Sequence, residues 1–512
     1  MKMRPSLQRL PRRDFLRNLF ALTGASAAAA ALPALAQVPA TAKPLHVVIV
    51  GAGLAGLVSA YELEKRGHRV TMLEADARHI GGRVRTLRFG DGRYGEAGAM
   101  RIPTRHLLTR HYVSEFALPL RKFVFSNPQA YYFMRGERHR IADVAAVSRL
   151  YRLTDAERNK SPDDLWADSV GKALATLDAA DRKDLTSESL TSPRVRAFDR
   201  KTLQQLCEDA GLSDEAIEFM AVAGGSETIL PTAATETLRE EMLEVWSQGF
   251  DEIVGGTDTL ATAFARKLKS RPKLGSVVLR LTQSADGLRA GAVYRQGGNL
   301  RKVEGDYLLC TLPCPVLSRL RTEPEFSGPK WRAVRELAYD SSTKVLAVTS
   351  RRFWEADDGI YGGGTFTDLP IATAYYPSDN AEAKDPRVSR GAGVLLASYS
   401  WGQAARRLAS LSHVPRAAKV IEHLSRVHPQ LAGAGMIRHT ASWSWDNHPY
   451  SSGAFAWFNA GQHSALYRDL IAPEGRIHFA GEHASLTHTW MQGALESGLR
   501  ATREMLEAAQ RA

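Results

Sequence analysis

The clearest pattern of apolar and polar positions lies at residues 45–75, LHVVIVGAGLAGLVSAYELEKRGHRVTMLEA. An apolar run of strand length is followed by a glycine turn, an amphipathic helix and a second apolar run. This order predicts a βαβ unit, in which a helix joins two parallel strands.

The pattern changes twice further along the chain. From about Pro103 to Val245, apolar positions recur with helical periodicity beside charged faces, as in DDLWADSVGKALATLDAADRKDL, which predicts a helical insertion. Patterns typical of β-strands recur in GSVVLRLTQSADGLRAGAVYRQGG and DYLLCTLP, then in STKVLAVTSRRFW, IATAYYP and GVLLASYSW. A final strand, GRIHFAGE, precedes the helix MQGALESGLRATREMLEAAQ. The 512 residues therefore predict an α/β protein of two or more domains.

The N-terminal segment 1–36 is predicted to be an export signal outside the fold. Arg12 and Arg13 precede an alanine-rich apolar run that ends in Ala34-Leu35-Ala36, and this arrangement resembles a twin-arginine (Tat) signal cut after Ala36. The alternative, an uncleaved membrane anchor, is disfavoured because the run is short and interrupted by a proline. The resulting prediction is a periplasmic or secreted protein without stable membrane insertion.

The formal charge of +12 does not indicate a nucleic-acid-binding protein. The segment 1–36 carries +5 of it, and the remainder is mixed in sign without a basic repeat or an arginine-aromatic tract. A mildly basic surface is compatible with small anionic ligands. The three cysteines, Cys207, Cys310 and Cys314, are too few for a disulfide framework, so structural thiols are predicted.

The glycine turn carries the first chemical signal. Gly51, Gly53 and Gly56 form G-x-G-x-x-G between the strand and the helix, and Glu74 ends the second strand. The first glycine permits a tight turn, the second lets backbone N–H groups approach a pyrophosphate, and the third lets the helix pack closely on the strand. An acid at the place of Glu74 accepts hydrogen bonds from ribose hydroxyls. Together these parts predict a dinucleotide site.

Two further stretches indicate which dinucleotide is bound. HIGGRVRT adds a second glycine pair and Arg83, which supply donors for an anionic diphosphate. With the C-terminal AGEHASLTHTWMQGALESGLRA, it resembles the flavin amine oxidase family, whose members bind FAD. The resemblance implies a Rossmann-like FAD-binding domain, a mixed-sheet substrate domain and a helical insertion. It also implies that Glu482 holds the ribityl chain and that the backbone from Thr489 to Ala494 runs beside the isoalloxazine.

The resemblance also assigns residues and domains. Val278 is expected to touch the adenine through its backbone. The FAD-binding domain is predicted to comprise 45–102, 246–330 and 446–512, the substrate/helical domain 103–245, and the substrate-binding domain 331–445. The residues predicted to contact FAD are Gly51, Gly53, Leu54, Ala55, Gly56, Glu74, Ala75, Gly82, Arg83, Gly98, Ala99, Met100, Arg101, Val278, Glu482, Thr489, Trp490, Met491, Gln492, Gly493 and Ala494.

Within that family, the substrate side is most similar to FAD-dependent L-amino acid oxidases. GAMRIP resembles their flavin-side segment, and the similarity continues through AYDSSTKVLAVTSRRFWEADDGIYGGGTFTDLP, GVLLASYSWGQAA and GEHASLTHTW. The resemblance implies that Arg101 grips the substrate carboxylate, which a guanidinium binds bidentately. Tyr399 would add a hydroxyl to that carboxylate, and Lys344 would be the catalytic residue, holding a water near flavin N5. Thr489 and Trp490 would line the substrate site, Trp490 beside the substrate amine.

These roles predict oxidative deamination of L-amino acids by oxygen to 2-oxo acids, ammonia and hydrogen peroxide. Hydride would pass from Cα to flavin N5, while the protein supplies positioning and electrostatics. A homodimer is expected. Three other functions stay open: an amine oxidase for substrates without a carboxylate, an amino-acid 2-monooxygenase that yields an amide and carbon dioxide, and a non-catalytic flavin-binding protein. Arg101 with Tyr399 argues against the first, and the presence of substrate-side residues argues against the third.

Some residues also have plainer explanations. Arg101 fits a solvated loop, Lys344 fits a strand-edge lysine that reaches solvent, and Tyr399 and Trp490 fit core aromatics. The histidines His478, His483 and His488 recur every five residues, which fits neither a strand face nor one helical face, so no metal site is predicted. The helix before FDEIV lacks the histidine that some family members place there as a proposed base. Its acids, Glu240, Glu241 and Glu244, are candidates to receive Lys or Arg side chains of a substrate.

Overall fold

The computed structural model describes residue 41 and residues 43–511, so the predicted signal segment lies outside the described residues. Helix Leu54–Lys65 joins the first two strands of a parallel sheet, as the βαβ pattern predicts. The four strands of that sheet follow the order Arg69–Leu73, His46–Val50, Tyr307–Cys310 and Ile477–Phe479. They come from the three segments that the sequence assigns to the cofactor domain.

Alternate residues of the first strand supply two cores on opposite faces of this sheet. Val47 and Ile49 pack in one core with the first helix and the C-terminal helix Met491–Arg511. Val48 and Val50 pack in the other core. Because successive side chains of a strand point to opposite faces, the run VVIV is buried on both. The second core is shared with a four-stranded sheet of Asn299–Gly305, Ala290–Gln296, Val277–Gln283 and Arg321–Glu323.

A seven-stranded mixed sheet forms the second large unit. Its strands follow the order Ile437–Ser444, Ser342–Thr349, Gly393–Trp401, Thr373–Tyr376, Gly363–Thr367, Tyr131–Met134 and Glu137–Arg140. Its side chains supply two cores, one of which contains residues of helix His413–Val427. The other contains Leu346 and Leu396 together with Met100 and Trp490, which come from the cofactor side of the molecule. The substrate-side residues are therefore brought to the junction of the two sheets, and the predicted α/β fold class is confirmed.

The segment 103–245 is only partly helical. Helices share one core over its later part, as the periodicity predicts. The helical prediction is wrong near its start, where three strands occur: Leu120–Phe123, Tyr131–Met134 and Glu137–Arg140. Two of them pair with strands far away in the sequence, Phe250–Ile253 and Gly363–Thr367. Strand propensity depends on such neighbours, so a local window does not contain the deciding information.

The remaining elements complete the molecule. Small sheets are formed by Thr86–Arg88 with Tyr94–Glu96, by Ala338–Asp340 with Phe455–Trp457, and by Ile102–Pro103 and Leu120–Phe123 on either side of Phe250–Ile253. The other α-helices are Leu107–Glu115, Val144–Ser148, Pro162–Trp166, Lys172–Ala175, Ala179–Asp184, Pro193–Asp199, Leu203–Asp209, Asp214–Gly224, Ala234–Met242, Asp258–Lys267, Cys314–Leu317, Gly328–Glu336, Phe353–Ala356, Pro386–Arg390, Gly402–Ala409 and Gln462–Ile471. No helix of the described part has the length and apolar character needed to cross a bilayer.

Candidate active site

A large cavity opens at the carboxyl ends of the parallel strands. It encloses about 1500 Å³ of space between protein atoms, its open mouth included. Val50, Leu73 and Thr311, at or just beyond the ends of three strands, line it. Ligands of open parallel sheets bind at this edge. The cavity thus has the place that a dinucleotide site requires.

Each of the three glycines of the first turn is required for a different geometric reason. Gly51 has a φ of +105°, and a Cβ there would lie 2.5 Å from Oγ1 of Thr311. A Cβ on Gly56 would lie 2.2 Å from the carbonyl oxygen of Gly51, so any larger residue would separate helix from strand. A Cβ on Gly53 would meet nothing within 4 Å, and this residue lines the cavity. The first two glycines serve the fold, whereas Gly53 keeps the backbone accessible to a ligand.

The start of the first helix supplies anion-binding groups. Gly53 is its N-cap residue and makes no side-chain cap, and the first turn contains no acidic residue. Leu54 and Ala55 of that turn line the cavity. Free N–H groups and the positive end of the helix dipole favour a phosphate here.

Glu74 borders the same space at the end of the second strand. Its Oε2 accepts a hydrogen bond from the backbone N–H of Ala52 (2.7 Å), and its Oε1 accepts one from that of Asp76 (2.8 Å). Burial raises the pKa of Glu74, although these backbone donors oppose the rise. The carboxylate is therefore fixed at the cavity wall, where a ribose hydroxyl would find an acceptor.

A largely buried ion pair ties the C-terminal motif to the glycine pair. Arg83 Nη1 donates to Oε2 of Glu482 (3.1 Å). Oε1 of Glu482 accepts from the backbone N–H groups of Ala456 (2.9 Å) and Thr489 (2.7 Å). Thr489 has a φ of +69°, which is unfavourable for a β-branched residue and costs on the order of 1–3 kcal/mol. One carboxylate thus holds three segments of the cavity wall, including a strained one. The donors and acceptors around the cavity fit a flavin dinucleotide.

Arg101 lies beside this cavity in an aromatic cage. Its side chain is buried, and its guanidinium carbon lies 5.1–5.9 Å from five ring centroids, those of Phe123, Phe125, Trp246, Phe250 and Trp490. No hydrogen bond or ion pair of Arg101 occurs with any residue that the structure describes, and its Nε is a buried donor without an acceptor. An unpaired buried charge is costly, so the arrangement favours an anionic ligand.

Lys344 and Tyr399 meet next to it. They are register partners on neighbouring strands of the seven-stranded sheet, and Nζ of Lys344 lies 4.2 Å from the centre of the Tyr399 ring. The ammonium donates to the carbonyl of Gly98 (2.7 Å). Burial lowers the pKa of Lys344 to about 7, with Glu96 opposing this shift and Arg101 reinforcing it. Burial raises the pKa of Tyr399, so its hydroxyl stays protonated and available as a donor.

The cavity gathers most of the residues that the sequence singles out. Its walls include Gly51, Gly53, Leu54, Ala55, Glu74, Ala75, Gly82, Arg83, Gly98, Ala99, Val278, Lys344, Tyr399, Glu482, Thr489, Trp490, Met491 and Ala494. Gly56, Met100, Arg101, Gln492 and Gly493 lie outside this set. The Gln492 side chain instead accepts from the N–H and the hydroxyl of Thr109.

The acids proposed to receive basic substrate side chains are already engaged. Glu240 accepts hydrogen bonds from the indoles of Trp246 and Trp490, both at 2.7 Å. Glu241 accepts one from Trp166, and Glu244 is paired with Arg105. No group of His, Cys, Asp or Glu side chains able to hold a metal occurs within residues 43–511, and the three cysteines are buried and unpaired as disulfides.

Sequence reasoning missed the aromatic cage around Arg101. Phe123 and Phe125 sit at two alternate positions around a strand end, which resembles an ordinary core pattern. Trp246 lies within a turn, and Phe250 begins the strand that follows it. Their common target becomes visible only in three dimensions. The aromatic residues just before and within FDEIV could have indicated an aromatic cluster. They do not by themselves identify Arg101 as the residue that the cluster surrounds.

The site and the fold define a flavin-dependent oxidoreductase, and comparisons with known proteins agree. The family described as flavin containing amine oxidoreductase matches residues 54–506. YobN of Bacillus subtilis (strain 168) is 35% identical over 474 residues, which cover 91% of this chain and 95% of YobN. An L-amino-acid oxidase of Siganus canaliculatus is 35% identical over 463 residues, covering 89% and 84%. An L-amino-acid oxidase of Vipera ammodytes ammodytes is 32% identical over 475 residues, covering 92% and 94%.

Solved structures support the same fold. Wild-type putrescine oxidase bound to putrescine has a TM-score of 0.70 at 20% identity, over 91% of this chain and 99% of that one. At this identity the comparison concerns the fold alone. The chain belongs to the flavin containing amine oxidoreductases, and it is an enzyme of that family.

Proposed function

We propose that the protein is an FAD-dependent L-amino acid oxidase that converts an L-amino acid, oxygen and water into a 2-oxo acid, ammonia and hydrogen peroxide. The single observation that carries the proposal is Arg101, a buried guanidinium without an anionic partner among the described residues. A substrate carboxylate would supply that partner with two parallel hydrogen bonds. The relatives named L-amino-acid oxidase support the same substrate class.

The chain's own groups divide the work in this proposal. Arg101 binds the substrate carboxylate and fixes its orientation, and the Tyr399 hydroxyl donates to the same carboxylate. Trp490, which lines the cavity, limits where the substrate amine can lie. FAD, held by the glycine turn, Glu74, Arg83 and Glu482, supplies the electron acceptor when bound. The aromatic cage keeps water from the guanidinium, which strengthens its attraction to a carboxylate.

Lys344 is the proposed catalytic residue. As a neutral amine it can accept a hydrogen bond from a water, whereas a protonated amine has no acceptor. Its lowered pKa makes the neutral form accessible near neutral pH. We propose that it holds a water beside the reacting centre, where that water can take a proton.

This role predicts a pH effect. In the parent enzyme, kcat/KM for an L-amino acid is expected to rise as the pH increases through about 7, because Lys344 loses its proton there. Lys344→Met should remove that inflection and lower the activity, while titration of the substrate contributes equally to both enzymes. The measurement is the pH profile of peroxide release. Lys330, a second buried lysine with a pKa lowered to about 7 by burial, offers a control, since Lys330→Met should keep the inflection. Persistence of the inflection in Lys344→Met would contradict the proposed role of Lys344.

The experiment that tests the function is direct. The purified protein should show a flavin absorbance spectrum and release peroxide with some of the twenty L-amino acids. The corresponding decarboxylated amines should be poorer substrates. Formation of an amide and carbon dioxide would identify a 2-monooxygenase, and activity on amines alone would favour the amine oxidase alternative. A folded protein that takes up no FAD would overturn the proposal.

We also propose export by the Tat route, which carries folded proteins with their cofactors. Replacing Arg12 and Arg13 together with lysine should leave active enzyme inside the cell, because the translocon reads the arginine pair. Activity is measured in periplasmic and cytoplasmic fractions, with Arg9→Lys as the matched control. Periplasmic activity unchanged by the double replacement would rule out this route.

A further inference from the structure

One carboxylate links two tryptophans of the aromatic cage. Glu240, on helix Ala234–Met242, accepts the indole N–H of Trp490 at Oε1 and that of Trp246 at Oε2, both at 2.7 Å. The two indole rings meet edge to face, with centroids 5.5 Å apart. Each indole has a single donor, and each carboxylate oxygen accepts one of them. The pair is therefore fixed in rotation from a single point.

Both indoles lie against the guanidinium that the proposed function uses. The ring centroids of Trp246 and Trp490 are 5.2 and 5.7 Å from the Arg101 guanidinium carbon. Trp490 also lines the main cavity and stacks on Phe250 at an interplanar angle of 13°. A rotation of either indole would therefore alter both the cage and the cavity wall.

The charge arrangement gives the link a second effect. A carboxylate that binds an indole N–H shifts electron density toward the ring, and the ring face attracts a cation through its quadrupole. Glu240 can thus compensate part of the Arg101 charge through the rings, without occupying the guanidinium donors. The nearby acids serve other partners, since Glu236 binds His488 and Arg239.

Glu240 holds this position against an electrostatic cost. Enclosure of the carboxylate raises the pKa of Glu240 to about 6, and its two indole donors oppose the rise. A raised pKa means that the ionised form is less favourable in the fold than in the unfolded chain. This group contributes stability fully below its unfolded pKa, and the contribution is lost as the pH rises through about 6. Stability at neutral pH therefore does not explain why an ionised carboxylate occupies this position.

We propose that Glu240 is a positioning residue of the substrate site: it holds the indoles of Trp246 and Trp490 against Arg101 and leaves the guanidinium donors free for the substrate carboxylate. The inference rests on the proposed function, because it gives Glu240 a purpose only if Arg101 binds a carboxylate. It makes Glu240 a determinant of discrimination between amino acids and amines.

Glu240→Gln is the test variant. The amide keeps the size of the side chain but presents an NH₂ to one of the two indole N–H groups, so that one hydrogen bond is lost. For an L-amino acid, kcat/KM should fall roughly 10- to 100-fold, mainly through KM. The contact that is weakened, between Arg101 and the substrate carboxylate, is made in the ground state as well as in the transition state. Activity on the decarboxylated amine, flavin content and Tm should stay close to those of the parent.

Two controls separate positioning from a general structural role. Glu241→Gln removes the neighbouring charge, whose carboxylate binds Trp166 rather than the cage, and should leave kcat/KM unchanged. In a Trp246→Phe background, where one indole donor is absent, Glu240→Gln should have a smaller effect than in the parent, as a double-mutant cycle would show.

The outcomes distinguish this inference from the proposed function. If the parent oxidises L-amino acids and Arg101→Ala impairs it, but Glu240→Gln keeps the parent kcat/KM, the positioning role is wrong and the function stands. Equal losses on amino acids and amines, with lost flavin, would also overturn it, since they indicate a structural acid. If the parent oxidises only amines, the function and the positioning role fail together.

Discussion

Arg101→Ala is expected to lower kcat/KM for L-amino acids by roughly 30- to 1000-fold. The variant loses a charge-assisted, bidentate contact worth on the order of 2–4 kcal/mol in a site shielded from water. Flavin content should change little, because the guanidinium makes no hydrogen bond to any described residue. Steady-state kinetics of peroxide release with a panel of L-amino acids measures the effect.

The decarboxylated amine provides the internal control for this prediction. It never used the carboxylate contact, so its oxidation should fall far less. Arg105→Ala is the matched protein control, because this arginine lies four residues away and its side chain is 46% exposed. If Arg101→Ala kept the parent kcat/KM on every L-amino acid that the parent oxidises, the carboxylate clamp would be wrong and the amine oxidase alternative would be favoured.

Glu482→Ala should destabilise the protein by about 3–5 kcal/mol and abolish flavin retention. The substitution leaves the largely buried Arg83 without its counter-charge and two backbone N–H groups without their acceptor. It also releases the strained backbone at Thr489 from the carboxylate that holds it. Thermal unfolding and the flavin-to-protein absorbance ratio measure the two effects.

Two comparisons sharpen the result. Glu482→Gln keeps one oxygen as the acceptor for the two backbone N–H groups. Its NH₂ replaces the oxygen that accepts from Arg83, so the charge and that contact are lost, and the total loss should be smaller than in Glu482→Ala. Glu336→Ala breaks an exposed pair with Arg332, which is worth about 0–1 kcal/mol, and should leave flavin in place. Unchanged stability and flavin content in Glu482→Ala would show that the ion pair does not hold the cavity wall.

The parts of the site that sequence could predict are those whose reasons are local. The turn of Gly51, Gly53 and Gly56 needs only one strand and one helix for its explanation, and in the structure Gly51 and Gly53 line the cavity. The separate motif around Glu482 reaches the same cavity, as the family resemblance implies. The α/β fold class followed from the order of strands and helices, and the family and the solved structures confirm this class.

Other parts depend on contacts that no local window contains. Two of the three strands at 120–140 pair with segments 100 or more residues away, and their sequence alone favoured helix. The rings around Arg101 come from three separate segments of the chain, at 123–125, at 246–250 and at Trp490. The sequence made Glu240 a candidate to receive a basic substrate side chain, but in the structure each of its carboxylate oxygens accepts an indole N–H. The partners decided the role in each case, and they are distant in sequence.

The way in which the parallel sheet is assembled has a consequence for biosynthesis. The last strand, Ile477–Phe479, completes a sheet begun at His46, and the hydroxyl of Ser59 bonds to the carbonyl of Gly498, 439 residues further along. Such distant pairings close slowly and cannot form before both partners have been synthesised. The nascent chain thus leaves the ribosome with an incomplete cofactor cradle, and we expect flavin uptake to follow chain release. A nonsense mutation before Ile477 should accordingly yield an apoprotein that no supply of flavin restores.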